Sequence, residues 1–216
     1  DLALKQEGFG EILPGAQAFV VDEAHQLPEL AAQFFGEGLG ARPLVELARD
    51  VVGECKDVPG ALASVQAPAL ALEQAARSLR AAMDGLPVRG TAWRALEEVD
   101  IEPAFATLST ALHGMVEALA PLREAAPGFD AAHLRARDQL GRLRRWLGEQ
   151  AAEAADGDDD DDAGFDRTGG ATSVHWYELT PKGFRLQRTP LDVSGPLRTH
   201  REQSRAAWVF TSATLA

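Results

Sequence analysis

Ala18-Phe19-Val20-Val21-Asp22-Glu23-Ala24-His25 places four apolar residues directly before two acids. The apolar run is too short for a helix and reads as a buried strand. Near the other end, Trp208-Val209-Phe210-Thr211 is a similar run, followed by Ser212-Ala213-Thr214-Leu215. Short strands that are apolar throughout are typical of a parallel sheet covered on both faces. Carboxylates at the end of such a strand stand where open α/β sheets place their ligands.

Between the two strands the spacing predicts helices. Pro28 suits the first turn of a helix over about 28–35, and Pro43 another, with Leu44, Leu47, Val51 and Val52 on one side. Leu62, Val65, Ala69, Leu72, Ala76, Leu79 and Met83 recur at three and four residues, as do Phe105, Leu108, Leu112, Met115, Leu119 and Leu122. Both are apolar seams of packed antiparallel helices. Pro68 predicts a kink or two helices in the first seam. A third helix over 130–154 buries Ala136, Leu140, Leu143 and Leu147. Val174–Leu179 and Phe184–Gln187 read as a hairpin around Thr180-Pro181-Lys182-Gly183, with Gly183 at positive φ.

Composition agrees with this reading. Alanine supplies 39 of 216 residues, which favours helix over sheet. Cys55 is the lone cysteine, which excludes an intrachain disulfide, a four-thiolate zinc site and an iron–sulfur cluster. A reducing, cytoplasmic compartment is the expectation. No apolar run reaches the roughly 18 residues of a membrane span, and Asp1–Glu7 is no signal peptide. Both ends are expected to be cut from something longer.

The net charge of −12 is uneven: −7 over residues 1–60, −1 over 61–150, −8 over 151–166 and +4 over 167–216. A global argument for nucleic-acid binding fails, while a local one stays open. The run Asp156–Asp162 reads as a solvated spacer, since it lacks the spaced ligands and fixed turn of a Ca²⁺ loop. Arg135, Arg142 and Arg145 fall near one helix face and are candidates to track the phosphates of single-stranded DNA. The competing reading is a solvated face paired with acids such as Asp138 and Glu149. Trp93 and Trp146 could stack bases or fill a core. His113, His133, His175 and His200 are too scattered for a metal site.

Asp22 and Glu23 suit nucleotide hydrolysis, the first holding Mg²⁺ through water and the second polarising the attacking water. On spacing alone the pair is equally explained by a solvated strand end. The far end sharpens it. Asp22-Glu23-Ala24-His25 and Ser212-Ala213-Thr214 resemble motifs II and III of the superfamily 2 helicases. With the flanks Asp1–Lys5, Gln26–Glu29, Thr189–Val193 and Trp208–Leu215, the chain resembles the DinG/YoaA branch of the XPD-like iron–sulfur DNA helicases.

That resemblance implies an α+β segment. Residues 1–29 and 166–216 would be pieces of a RecA-like motor domain, the second carrying the hairpin, and 30–165 a helical Arch-like insertion ending in the acidic loop. It implies a parent enzyme that uses ATP and Mg²⁺ and moves 5′→3′ on single-stranded and forked DNA in repair or replication. By position, Asp22 would hold Mg²⁺, Glu23 would activate water, and His25, Ser212 and Thr214 would couple nucleotide state to DNA. Replication or repair proteins are the implied partners. No phosphate loop is present, Gly85–Thr91 being a near miss without the lysine. The family's cluster cysteines are likewise missing, so an inactive fragment is expected. The alternative from another class is a non-catalytic helical interaction module.

Overall fold

The computed structural model describes residues 17–27, 30, 36–98, 100–148, 173–192, 194–195, 198 and 206–212. In chain order they form β1 (Ala18–Val21), a 3-10 turn (Ala24–Gln26), β2 (Glu37–Gly40), α1 (Ala41–Glu54), α2 (Ala61–Ala82), β3 (Arg89–Thr91) and α3 (Ala92–Glu98). There follow α4 (Glu102–Leu119), α5 (Pro127–Leu147), β4 (Ser173–Thr180), β5 (Gly183–Pro190) and β6 (Ala207–Phe210). The fold is α+β. The helix expected over 28–35 lies largely outside the described residues, as do the acidic run 156–162 and Thr214.

These elements fall into two compact units. The described residues up to Gly36, with Ser173, Val174 and those from Thr189 onward, form one; Glu37–Gly148 and His175–Arg188 form the other. The hairpin therefore departs from the expected boundaries. It sits with the helices because β5 pairs antiparallel with β2, and β4 with β3, in a four-stranded sheet ordered β2-β5-β4-β3.

In the helical unit, α1 packs on α2, α2 on α4, α4 on α5 and α5 back on α1, a closed ring of four helices. The seams predicted from spacing line its interior: Val65, Leu72, Leu79 and Met83 from the α2 segment and Phe105, Leu108, Leu112 and Met115 from α4 are buried. Aliphatic side chains of this kind contribute roughly 1.5–3 kcal/mol each on full burial. The sheet covers the helices with alternate residues, Tyr177 and Leu179 from β4 and Phe184 and Leu186 from β5.

Three local expectations are corrected. Of the kink or two helices expected at Pro68, the second does not hold: α2 runs through it as one helix, because the buried seam continues on both sides. α5 stops at Leu147, short of 154: Gly148 adopts φ 79° and its N–H bonds the carbonyls of Arg144 and Arg145, a left-handed cap. Gly183 does not take a positive φ. Its lack of a side chain serves close packing instead, since a Cβ there would lie 3.2 Å from that of Ala41.

In the other unit, β1 and β6 form a two-stranded parallel sheet in the register Phe19↔Trp208, Val21↔Phe210. The Phe19 and Trp208 rings lie 4.7 Å apart. The strands are not buried as the apolar runs predict: Val20 is 70% and Val209 47% exposed. Among the described residues of this unit no second layer covers the two strands.

Candidate functional site

The parallel register sets the site. With Val21 opposite Phe210, the residues that leave the two strands, Asp22 and Thr211, come side by side. Thr211 N–H donates to the Val21 carbonyl at 2.9 Å, and Ala24 N–H to the Thr211 carbonyl at 2.9 Å. The backbone thus laces the Asp-Glu-Ala-His turn to the end of β6.

The side chains repeat the connection. Thr211 Oγ1 donates to Asp22 Oδ1 at 2.7 Å, and the Glu23 N–H donates to the same oxygen at 2.9 Å. The threonine hydroxyl first, and then the backbone N–H, hold the Asp22 carboxyl below its ordinary 3.8. Both bonds fall on Oδ1, and among the described residues none falls on Oδ2, which leaves that oxygen to a cation or its water shell. A Mg²⁺ held through one carboxylate and water asks for no larger cluster. Among the described residues there is no group of three or more His, Cys, Asp or Glu able to hold a metal.

Glu23 has φ 51°, ψ 44°, left-handed and unusual for a residue with a side chain. Such a conformation persists where its surroundings hold it. Here the Glu23 carbonyl accepts from Gln26 N–H at 2.9 Å and its carboxylate lies 3.1 Å from His25 Nδ1. His25 Nδ1 also lies 2.8 Å from Ser212 Oγ. A carboxylate only accepts, so a proton on Nδ1 serves Glu23, and Ser212 then accepts as well. The order Glu23–His25–Ser212 is one contact chain from the acid to the neighbouring strand.

The structure therefore brings together four of the residues singled out from the sequence, Asp22, Glu23, His25 and Ser212. Thr211, the nearest partner of Asp22, was missed as a site residue because it closes an apolar run and reads as strand. The signal that finds it is the register: parallel pairing of the two runs puts its hydroxyl beside the first acid.

The arginine trio takes a different place. Arg135 pairs with Asp50 of α1 at 2.8 Å, Arg142 with Asp138 at 2.8 Å and the Gly38 carbonyl at 3.1 Å, and Arg145 with Glu37 of β2 at 2.6 Å. These contacts tie α5 to α1 and β2, which favours the paired-face reading. Trp146 is core, its ring 5.2 Å from Phe105 and its N–H donating to the Trp176 carbonyl, whereas Trp93 is exposed. His133 is buried on α5, and burial pushes its pKa below the ordinary 6.5. Cys55 is half-buried, and burial pushes its thiol pKa up, which makes it a poor nucleophile.

No family model matches the chain. Over its whole length it is 31% identical, across 220 aligned residues, to ATP-dependent DNA helicase YoaA of Escherichia coli (strain K12). It has the same identity and coverage to ATP-dependent DNA helicase YoaA of Haemophilus influenzae. The chain spans 31% of the length of each of these relatives. The resemblance to the DinG/YoaA branch that the motifs carry is borne out by both.

Proposed function

We propose that this chain, placed by its sequence with the DinG/YoaA branch, is the segment of an ATP-dependent DNA helicase that joins the hydrolytic acids to the element reporting on DNA. One observation carries the reading: Asp22 and His25 each meet a hydroxyl, Thr211 and Ser212, at the ends of two adjacent parallel strands. Residues 1–29 and 166–216 supply motor-domain pieces in this reading, though the hairpin packs with the helices. The helical unit is the Arch-like insertion. The exposed apolar faces of β1 and β6 fit a sheet that continues into further strands.

Mg²⁺, when bound through Asp22, supplies charge neutralisation on the β- and γ-phosphates. Thr211 fixes the orientation of the Asp22 carboxylate. Glu23 orients and deprotonates the attacking water. His25 holds Glu23 with one contact and Ser212 with the other, so a shift of β6 changes the setting of the acid. Thr214 is assigned the same coupling role. Translocation 5′→3′ on single-stranded and forked DNA, work in repair or replication, and an iron–sulfur cluster on cysteines outside these 216 residues belong to the same proposal.

The test compares ATP hydrolysis and strand separation in the full protein. Glu23→Gln should lower both by about 10²–10⁴-fold while nucleotide binding persists, as loss of a general base does. Ser212→Ala removes the hydrogen bond to His25, net about 0.5–1.5 kcal/mol. It should keep most hydrolysis and lose strand separation by about two- to twelve-fold. Proportional loss of both by Ser212→Ala contradicts coupling, and unchanged hydrolysis in Glu23→Gln contradicts the helicase reading.

A further inference from the structure

An open groove of the helical unit, about 1310 Å³, lies among the start of α1, the end of α2 and the β4–β5 turn. Small-molecule pockets run about 300–1,000 Å³, so an extended ligand suits it better. Its lining is cationic in a chain of net charge −12: Arg42 and Arg49 from α1, Arg77 and Arg80 from α2, Lys182 at the turn and Arg185 on β5. Glu46 and Glu178 are the acids that line it. The floor approaches closely as backbone, with Gly38, Gly40 and Gly183 in the lining.

The four helix arginines are balanced by acids, Arg42 by Glu46, Arg49 and Arg77 by the half-buried Glu73, and Arg80 by Asp84, with Arg80 Nε also donating to the Thr180 carbonyl at 2.9 Å. Arg42, Arg49 and Arg77 are about 70–90% exposed, and ion pairs of that kind are worth about 0–1 kcal/mol. They exchange readily for an incoming phosphate. Lys182 and Arg185 are exposed and have no acid partner among the described residues. The hairpin therefore presents two cations without an acid partner among the described residues, beside three lightly held ones. Phe184 on the floor is buried, so no lining ring offers a base a stacking surface.

We propose that this groove is a track for the phosphodiester backbone of single-stranded DNA, gripped by charge without base stacking. The choice of strand rests on the helicase reading above; the cation geometry does not. The track lies on different residues from the Arg135, Arg142 and Arg145 face, whose charges hold acids of the chain itself.

The measurement is binding of a fluorescein-labelled oligothymidylate to the 216-residue chain between 50 and 200 mM salt. Lys182→Gln with Arg185→Gln should lower the log–log salt slope by about 1.4, at roughly 0.7 per lost single-strand contact. Over that fourfold salt range, wild type should lose about seven-fold more affinity than the variant. Arg77→Gln should give half that slope change. Arg123→Gln with Arg135→Gln removes the same charge away from the groove and should leave the slope unchanged. Melting curves of each variant confirm a folded protein.

Absence of oligothymidylate binding at 50 mM salt, or an unchanged slope in both groove variants, overturns the proposal. Tighter binding of a duplex of equal length, or a polyaspartate peptide lost from the groove variants while the oligonucleotide stays, overturns it too and assigns the groove to that ligand. The helicase reading fails separately. Unchanged ATPase in Glu23→Gln with a lowered slope in Lys182→Gln/Arg185→Gln removes the motor and keeps the track.

Discussion

At the scale of single residues, the site depends on a threonine that carries no motif of its own. Thr211 Oγ1 is the main reason that the Asp22 carboxyl sits below its ordinary 3.8, and the Glu23 N–H is the lesser one. Thr211→Val keeps the shape and removes the donor, so the Asp22 pKa should rise toward 3.8 in an NMR titration of the carboxyl carbon. The sign for stability follows from linkage. A depressed folded-state pKa stabilises fully above the unfolded value, and the contribution is lost as pH falls from about 3.8 through the folded value. The variant should show less of this acid-side loss in urea unfolding between pH 5 and 2. An Asp22 pKa indifferent to the substitution would place the shift elsewhere. Asp22, Glu23, His25 and Ser212 were legible because acids and hydroxyls after apolar runs stand out in sequence. Thr211 was not, since its role appears only once β1 and β6 are paired in register.

At the scale of elements, the seams were the most legible feature and their ends the least. Val65, Ala69, Leu72, Ala76, Leu79 and Met83 are buried, while Leu62 at the start of the same seam is 43% exposed. A strict alternation of three and four repeats every 3.5 residues, whereas a straight helix turns every 3.6 and drifts about 20° per heptad. A seam three heptads long therefore leaves its face at one end. β2 and β3 gave no periodic signal because Glu37-Gly38-Leu39-Gly40 and Arg89-Gly90-Thr91 are short and glycine-bearing. Those glycines answer to neighbours: a Cβ at Gly38 would meet the Gln187 side chain at 2.8 Å, and at Gly90 the Tyr177 hydroxyl at 2.6 Å. Pro68 is the opposite case, a residue the helix tolerates without needing it. It lies in the second turn of α2 and is only half-buried. Proline there is about 3 kcal/mol less favourable than alanine, and the looser unfolded chain of the alanine variant takes back about 0.4–1 kcal/mol. Pro68→Ala should therefore raise the urea-unfolding free energy by about 2 kcal/mol. A decrease would show that the ring's packing outweighs the missing hydrogen bond.

At the scale of the whole molecule, stability and chemistry reside in different units. The helical unit closes a ring of four helices and buries Leu44, Val65, Leu72, Leu108, Leu112 and Leu143 completely. Among its described residues, the unit with Asp22 and Ser212 has two strands of four residues each, with Val20, Val209 and Phe210 exposed. Two-stranded sheets are marginal in water, and local opening is cheapest where few apolar groups are buried. Sequence alone read both β runs as buried, because apolar composition reports what a strand is suited to pack against and not what the described residues place beside it. The difference has a measurable consequence. In native-state hydrogen exchange of the 216-residue chain, amides in mid-α2 such as that of Leu72 should open only with global unfolding, with a denaturant dependence matching the full m-value. The amides of β1 and β6, Val21 and Val209 among them, should exchange through small openings that vary little with denaturant, at rates at least 100-fold faster. A site built on such strands can be reset by small energies, as the proposed coupling role would need. If Val21 and Val209 instead carry the same protection and denaturant dependence as Leu72, the two units unfold as one, and the site is as rigid as the helices.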